Sequence, residues 1–233
     1  MSDAAKYLPL SHREREDESS VSNDWSKHLY ACLDSLAALA ETLSPAQLET
    51  QTNQNGKTQY RVVDVATLAI WRLSTARVAR LRRLLAEALR TRSGSAGATV
   101  ALSRTLASTK PSPAALAAQL RQLAADGRAS ATRRSVADLS VAVVAGYDIA
   151  RAAGAVLSVE PVASGAVALA RSLSAPTEIR AVLRDTTLHA TDDNWSVGHG
   201  ATRNGTARDI VLFLWGRAGI PTIAADTATS GDS

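Results

Sequence analysis

Apolar residues recur over residues 25–43 at the three- and four-residue steps of one helical face: Trp25, Leu29, Cys32, Leu33, Leu36, Leu39 and Leu43. Asn23 or Ser22 stands where an N-cap belongs, Ser44-Pro45 stops the run, and Pro45 opens a further turn of helix through Leu48. The polar stretch 49–59, with Asn55-Gly56 as its turn signal, reads as a loop. A second and longest helix is then expected over residues 62–90, with Val65, Leu68, Ala69, Leu73, Val78, Leu81 and Leu85 in its apolar stripe. Ser93-Gly94-Ser95-Ala96-Gly97 and Lys110-Pro111-Ser112-Pro113 break the pattern, the second just before a helix over 114–125 that Asp126-Gly127 closes. Residues 135–153 are apolar on most sides, which predicts a central helix ended by Gly154. Glu160-Pro161 introduces another helix over 162–173, stopped by Ser174-Ala175-Pro176.

Beyond residue 176 the pattern changes period. Residues 186–190 and 195–197 read as two short strands joined through Asp192-Asp193-Asn194, and 206–215 as a closing amphipathic helix. The expected class is mainly α, a helical bundle over residues 22–175 followed by a small α+β element, a hairpin plus a helix, over 176–219. Residues 1–21 are polar, charge-mixed and without periodicity, so a disordered leader is expected there, and the small polar residues 220–233 read as a flexible tail. Composition points the same way: 45% of the residues are hydrophobic but only 4% aromatic, which favours helices over a β-sandwich.

Charge adds little. Arg72, Arg77, Arg80, Arg82, Arg83 and Arg90 fall on one side of the second helix, yet the net charge is only +4 and no aromatic residues interleave, so a solvated face is expected rather than a nucleic-acid surface. The charged N-terminus lacks the apolar core of a signal peptide and no apolar run approaches the ~20 residues of a membrane span, so a cytoplasmic protein with no membrane partner is expected. Cys32 is the only cysteine, which excludes an intrachain disulfide and a cysteine-rich zinc site. Its place on the first apolar stripe marks it as a small buried hydrophobe. The oligomeric state is not encoded in any pattern of this chain.

The stretch Ala190-Thr191-Asp192-Asp193-Asn194-Trp195-Ser196-Val197-Gly198-His199-Gly200, followed by Gly205 and by Phe213-Leu214-Trp215-Gly216-Arg217, resembles the C-terminal signature of the mycothiol-dependent maleylpyruvate isomerase family. Trp195, His199 and Arg217 are its landmarks. The resemblance implies an N-terminal DinB-like metal-binding four-helix bundle. In that family a histidine follows the aspartate of a Trp-Thr-Val-Arg-Asp-like segment by four residues; here Tyr60-Arg61-Val62-Val63-Asp64 is followed by Leu68. A second histidine precedes an Asp-Leu/Ile-x-Arg segment by three residues, with another ligand one turn earlier; here Tyr147-Asp148-Ile149-Ala150-Arg151 is preceded by Ala145 and Val141. Two ligands four apart on one helix and one from a facing helix would leave a metal with an open position, where a thiolate such as that of mycothiol is activated. Leucine, valine and alanine offer no lone pair, and the former ligand face is expected to pack as apolar core.

The four histidines do not rebuild such a site. His12 lies in the leader, His28 on the first helix, and His189 and His199 could approach each other only as a pair across the hairpin. No nucleophile elbow or phosphate-binding glycine loop occurs, and Gly198-His199-Gly200 falls in the hairpin. Asp64 and Asp148 border apolar runs, where each could serve as a buried acid or base; the plainer expectation is that Asp64 caps its helix and Asp148 pairs with Arg151 or another basic group. Tyr60, Asp64, Leu68, Trp71, Val141, Ala145, Tyr147, Asp148 and Arg151 are thus the pocket candidates, with no catalytic residue assigned and no metal ligand among them. Two readings of function follow from the resemblance. One is a divergent, metal-free, non-catalytic protein that binds a small-molecule or thiol ligand or a partner and needs no cofactor. The other is an active mycothiol-dependent thiol transferase or isomerase with a non-standard zinc site or none.

Overall fold

The computed structural model describes residues 23–52, 60–74, 111–130 and 133–221. They form a mainly helical structure with a small sheet at its C-terminal end. Helix α1 (Ser26–Thr42) presents Leu29, Cys32, Leu33, Leu36, Leu39 and Ala40 to the interior. Its first turn is held by Asp24, whose Oδ1 accepts Ser26 N at 3.0 Å and Arg134 N at 3.2 Å; Asn23, one of the two expected caps, is exposed. The short helix α2 (Pro45–Leu48) begins with a capping box between Ser44 and Gln47. Gln47 Nε2 also donates to Ala153 O at 3.0 Å.

The next helix differs from its expected extent. A two-residue antiparallel pair, β1 (Gln51–Thr52) with β2 (Tyr60–Arg61), leads into α3 (Val62–Leu73), and residues 53–59 of the expected loop lie outside the described residues. Helix α3 stops at Leu73 because Ser74 turns extended, with φ −68° and ψ 143°. Arg72 is therefore the one member of the anticipated arginine face on this helix; the others, with the glycine-serine break at 93–97, lie outside the described residues, as do the leader and most of the tail.

Helix α4 (Pro113–Ala129) starts on a Ser112 cap and runs through Asp126-Gly127 instead of stopping there. The Tyr30 ring of α1 lies against Gly127, and a Cβ at that position would fall inside van der Waals contact with the ring. Gly127 is thus a close-packing glycine and not a helix stop. Helix α5 (Val136–Ala153) starts on a capping box between Ser135 and Asp138 and ends, as anticipated, on Gly154, which lies in the left-handed region with φ 65°. The helix is buried continuously from Ala142 to Ala150. Helix α1 packs on α4 and α5, α3 packs on α5 and α4, and α6 (Pro161–Ser174) and the closing helix α8 (Ala207–Leu214) cover the outer side of α5.

An unanticipated helix, α7 (Thr177–Asp185), buries Ile179 and Leu183 and delivers the chain into β3 (Thr186–Ala190). Strand β4 (Trp195–Gly198) pairs antiparallel with β3 through the expected turn, in which Asn194 takes φ 53°. Sequence periodicity missed β5 (Ala201–Gly205), which pairs parallel to β3 on its other side, giving the order β4-β3-β5. Gly198-His199-Gly200 is consequently not part of the hairpin turn. It carries the chain beneath the start of β3, from one edge of the sheet to the other. A Cβ on Gly198 or Gly200 would collide with the backbone of Thr186 or Asp185, and both glycines have positive φ, 98° and 108°. The closing helix α8 (Ala207–Leu214) is capped by Thr206 and buries Ile210, Val211, Leu212, Phe213 and Leu214. One cluster of buried side chains runs from α1 through α5 to the sheet and α8.

Candidate functional site

The C-terminal landmarks divide into two kinds. Trp195 packs over Gly165 of α6, 3.2 Å from where a Cβ would stand, and its Nε1 donates to Ser164 Oγ at 2.9 Å. The fully buried Ser164 hydroxyl donates in turn to Asp193. Asp192 Oδ1 accepts Ala207 N at 2.7 Å at the start of α8, where a carboxylate also complements the helix dipole. These residues fasten the sheet to α6 and α8. His199 is exposed and contributes its backbone, donating to Leu183 O at 2.8 Å. His189 shares a 3.0 Å bond with Ser196 across β3 and β4, and its register partners are Ser196 and Asn204, so the two histidines are not cross-strand partners.

Arg217 is of the other kind. Two residues beyond Trp215 at the end of α8, it reaches back to α5 and donates from Nη1 to Asp148 Oδ2. Arg151, one turn along α5, donates from Nη2 to Arg217 O at 2.9 Å, fixing the backbone that carries the guanidinium. Asp148 is therefore paired as anticipated, but with Arg217. Its side chain has no solvent exposure, and Oδ1 has no hydrogen-bond partner among the described residues. Burial raises its pKa, while the charges of Arg217 and Arg151 and the hydrogen bond from Arg217 pull against that shift.

Asp148 and Arg217 stand in the wall of a cavity of about 620 Å³ between α3, α5, α6 and the end of α8. Six of the nine pocket candidates line it: Tyr60, Asp64, Leu68, Val141, Ala145 and Asp148. The three positions compared with metal ligands thus converge, Leu68 from α3 and Val141 and Ala145 four apart on α5. The expected core face is realised only in part: Ala145 is buried and Val141 packs half-buried against the core, while Leu68 and Val141 border open space.

Trp71, Tyr147 and Arg151 lie outside this lining. Tyr147 is buried elsewhere, and burial, followed by the charge of Asp193, raises its phenol pKa. Trp71 Nε1 is buried with no partner among the described residues. Sequence reasoning missed Arg72, Arg171 and Trp215 as pocket residues. Arg171 donates from Nε to Leu214 O at 3.0 Å, and its guanidinium lies 5.3 Å from the centre of the Trp215 ring, an arginine-on-indole arrangement. The signal available for it was weak, a basic residue in the last turn of a helix, which ordinarily only complements the dipole.

These walls do not fit a divalent metal. Leu68, Val141 and Ala145 have no donor atoms, and both carboxylates of the lining are matched to arginines, Asp148 to Arg217 and Asp64 to Arg61. The second match is a fork, with Arg61 Nε 3.0 Å from Asp64 Oδ2 and Nη2 2.9 Å from Oδ1, which fastens β2 to the first turn of α3. No group of three His, Cys, Asp or Glu side chains is placed to hold a metal among the described residues. Cys32 supplies no thiolate, since it is buried in α1 and its thiol is pushed up to about 12 by burial. No described helix is long and apolar enough to cross a membrane. Comparison with models of protein families, with curated proteins and with solved structures finds no match.

Proposed function

We propose that this chain is a divergent member of the mycothiol-dependent maleylpyruvate isomerase family that keeps the cavity of a DinB-like four-helix bundle as a metal-free, non-catalytic site for a small molecule. The observation that carries this reading is the convergence of Leu68, Val141 and Ala145 on one cavity. These positions, chosen from the family's motif spacing, come from two helices more than sixty residues apart, and their shared wall supports the register of the resemblance. The closed ring of contacts among α1, α4, α3 and α5 supports the bundle. The cavity volume falls within the roughly 300–1,000 Å³ of small-molecule sites.

The test is elemental mass spectrometry of protein purified without a histidine tag, together with thermal melts with and without micromolar zinc or nickel. No bound metal and an unchanged midpoint are expected. A stoichiometric metal, or a several-degree stabilisation through preferential binding to the folded state, would overturn the reading in favour of a working mycothiol-dependent transferase or isomerase.

A further inference from the structure

The polar groups of the cavity wall are mostly spent. Both oxygens of Asp64 are taken by the fork of Arg61, and Asp148 and Arg217 neutralise each other. Asp148 has no side-chain exposure, so it meets nothing inside the cavity and acts there only through Arg217. The hydroxyls of Ser140 and Ser174 turn back on their own helices, donating to Val136 O at 2.8 Å and to Ala170 O at 3.1 Å. Arg171, also in the lining, is different: Nε is spent on Leu214 O and one face of the guanidinium on Trp215, but its two terminal amino groups have no hydrogen bond and no carboxylate partner among the described residues. Neither amino group is sealed from solvent, since Arg171 is half-buried and its nitrogens are not among the buried polar atoms without a partner. The stacking and the bond to Leu214 O hold the planar fork in one orientation, which lowers the entropy lost when it grips a planar anion. Val65, Leu68, Val141, Val144 and Ala145 give the α3 and α5 sides of the same cavity an aliphatic surface.

We infer that the cavity takes an aliphatic monocarboxylate, its carboxylate on the two amino groups of Arg171 and its hydrocarbon chain along Leu68, Val141 and Ala145. The unmatched guanidinium calls for one negative charge, and its fork fits a carboxylate with two parallel bonds. A phosphate monoester carries about −1.5 to −2 charges at pH 7 and would leave part of that charge unanswered. A second carboxylate at the far end of the chain would lose its water against an aliphatic surface that gives nothing back. This rests on the reading of the cavity as a metal-free small-molecule site and adds the chemical class of the ligand.

The experiment is titration calorimetry of the full chain with straight-chain alkanoates of increasing length, kept below their micelle concentrations, each compared with the alkanol, the alkyl phosphate and the α,ω-diacid of the same length. Affinity for the alkanoates should rise about fourfold with each methylene the cavity encloses and then level off. At the best length the alkanoate is expected to bind at least about tenfold more tightly than the alkanol, the charge-assisted hydrogen bonds to Arg171 accounting for roughly that factor, and more tightly than the phosphate or the diacid. Arg171→Gln should bring the alkanoate down to the affinity of the alkanol while leaving the alkanol unchanged, and Arg171→Lys should restore only part of the difference because it keeps the charge without the fork. An alkanol, phosphate or diacid that binds as tightly as its alkanoate, an affinity that does not rise with chain length, or a series in which no member binds, would each overturn the proposal. None of these results touches the metal measurement, so failure of the ligand class and failure of the metal-free reading are separate outcomes. The comparisons among ligands are made on the unaltered chain and stand even if an Arg171 variant does not fold.

Discussion

Arg217, in the turn after α8, places its guanidinium on the fully buried carboxylate of Asp148, sixty-nine residues earlier in the continuously buried stretch of α5. The pair joins the C-terminal element to the helical core at the edge of the cavity, and the Arg151 bond to Arg217 O holds its backbone in place. Breaking one side leaves a charge stranded in a dry site. Arg217→Met should therefore cost about 3–5 kcal/mol of unfolding free energy, whereas Arg217→Met combined with Asp148→Leu should recover much of that loss. Urea unfolding of the three variants gives the comparison. A double variant no more stable than the single one would mean that the pair itself, and not the stranded charge, dominates.

The raised pKa of Asp148 has a definite sign in the pH dependence of stability. A carboxyl that holds its proton more tightly folded than unfolded adds stability at low pH, and that contribution is lost as pH rises through the native pKa. Asp24 and Glu41 act oppositely: hydrogen bonds from Ser26 and Arg121 lower their pKa values, so their contribution is present above the ordinary carboxylate range and is lost as pH falls through the lowered native values. Both remain in an Asp148→Asn variant and cancel in the difference. Wild type should gain stability relative to Asp148→Asn as pH is lowered from about 7 to 4, read from urea midpoints. A difference that moves the other way would show that Arg217, and not burial, governs this carboxyl.

Glycine inside a helix ordinarily costs about 1 kcal/mol relative to alanine, so Gly→Ala is a standard stabilising change. At Gly127 the opposite is expected. The added methyl would run into the Tyr30 ring, which Arg128 also covers from 5.7 Å. Overpacking costs typically 1–3 kcal/mol and outweighs the helix-propensity gain. Gly127→Ala should lower the thermal midpoint; a raised one would show that the tyrosine swings aside without penalty.

Gly200→Ala should cost about 2 kcal/mol or more, because its left-handed φ of 108° and the Asp185 backbone both exclude a side chain. Gly154→Ala, at φ 65° with open space around the Cβ, should cost only about 1 kcal/mol. The ratio of the two separates strain plus collision from strain alone, and equal costs would mean that the crossing beneath β3 relaxes readily.

Local signals read well where the fold is local. Gly154, Ser44-Pro45 and the apolar face of α1 all do in the structure what their chemistry announces. The errors lie where a distant partner decides. Gly127 looks like a helix stop until Tyr30 is brought against it, Gly198 and Gly200 look like turn residues until β5 is paired to the far side of β3, and the thin polar pattern of residues 201–205 gives no sign of that pairing. The cavity was half legible for the same reason. The family resemblance singled out Leu68, Val141, Ala145 and Asp148, but Arg171 and Trp215 reach the wall from α6 and from beyond α8 through packing that neither motif nor periodicity expresses.

The convergence of Leu68, Val141 and Ala145 can be tested by building what these residues cannot do. If the two helices present these positions to common space, Leu68→His, Val141→Glu and Ala145→His together supply two nitrogens and a carboxylate, with the pair on α5 one turn apart and an open position toward the cavity. Metal binding that requires the folded arrangement stabilises it. The triple variant should take up one zinc per chain and melt several degrees higher with zinc than without, while wild type does neither. Cobalt substitution would add the absorption of a low-coordinate nitrogen and oxygen site, independent of any activity. A folded triple variant that binds no metal would mean that the three side chains line the same cavity without pointing at a common centre, and the register on which the family reading depends would fall with it.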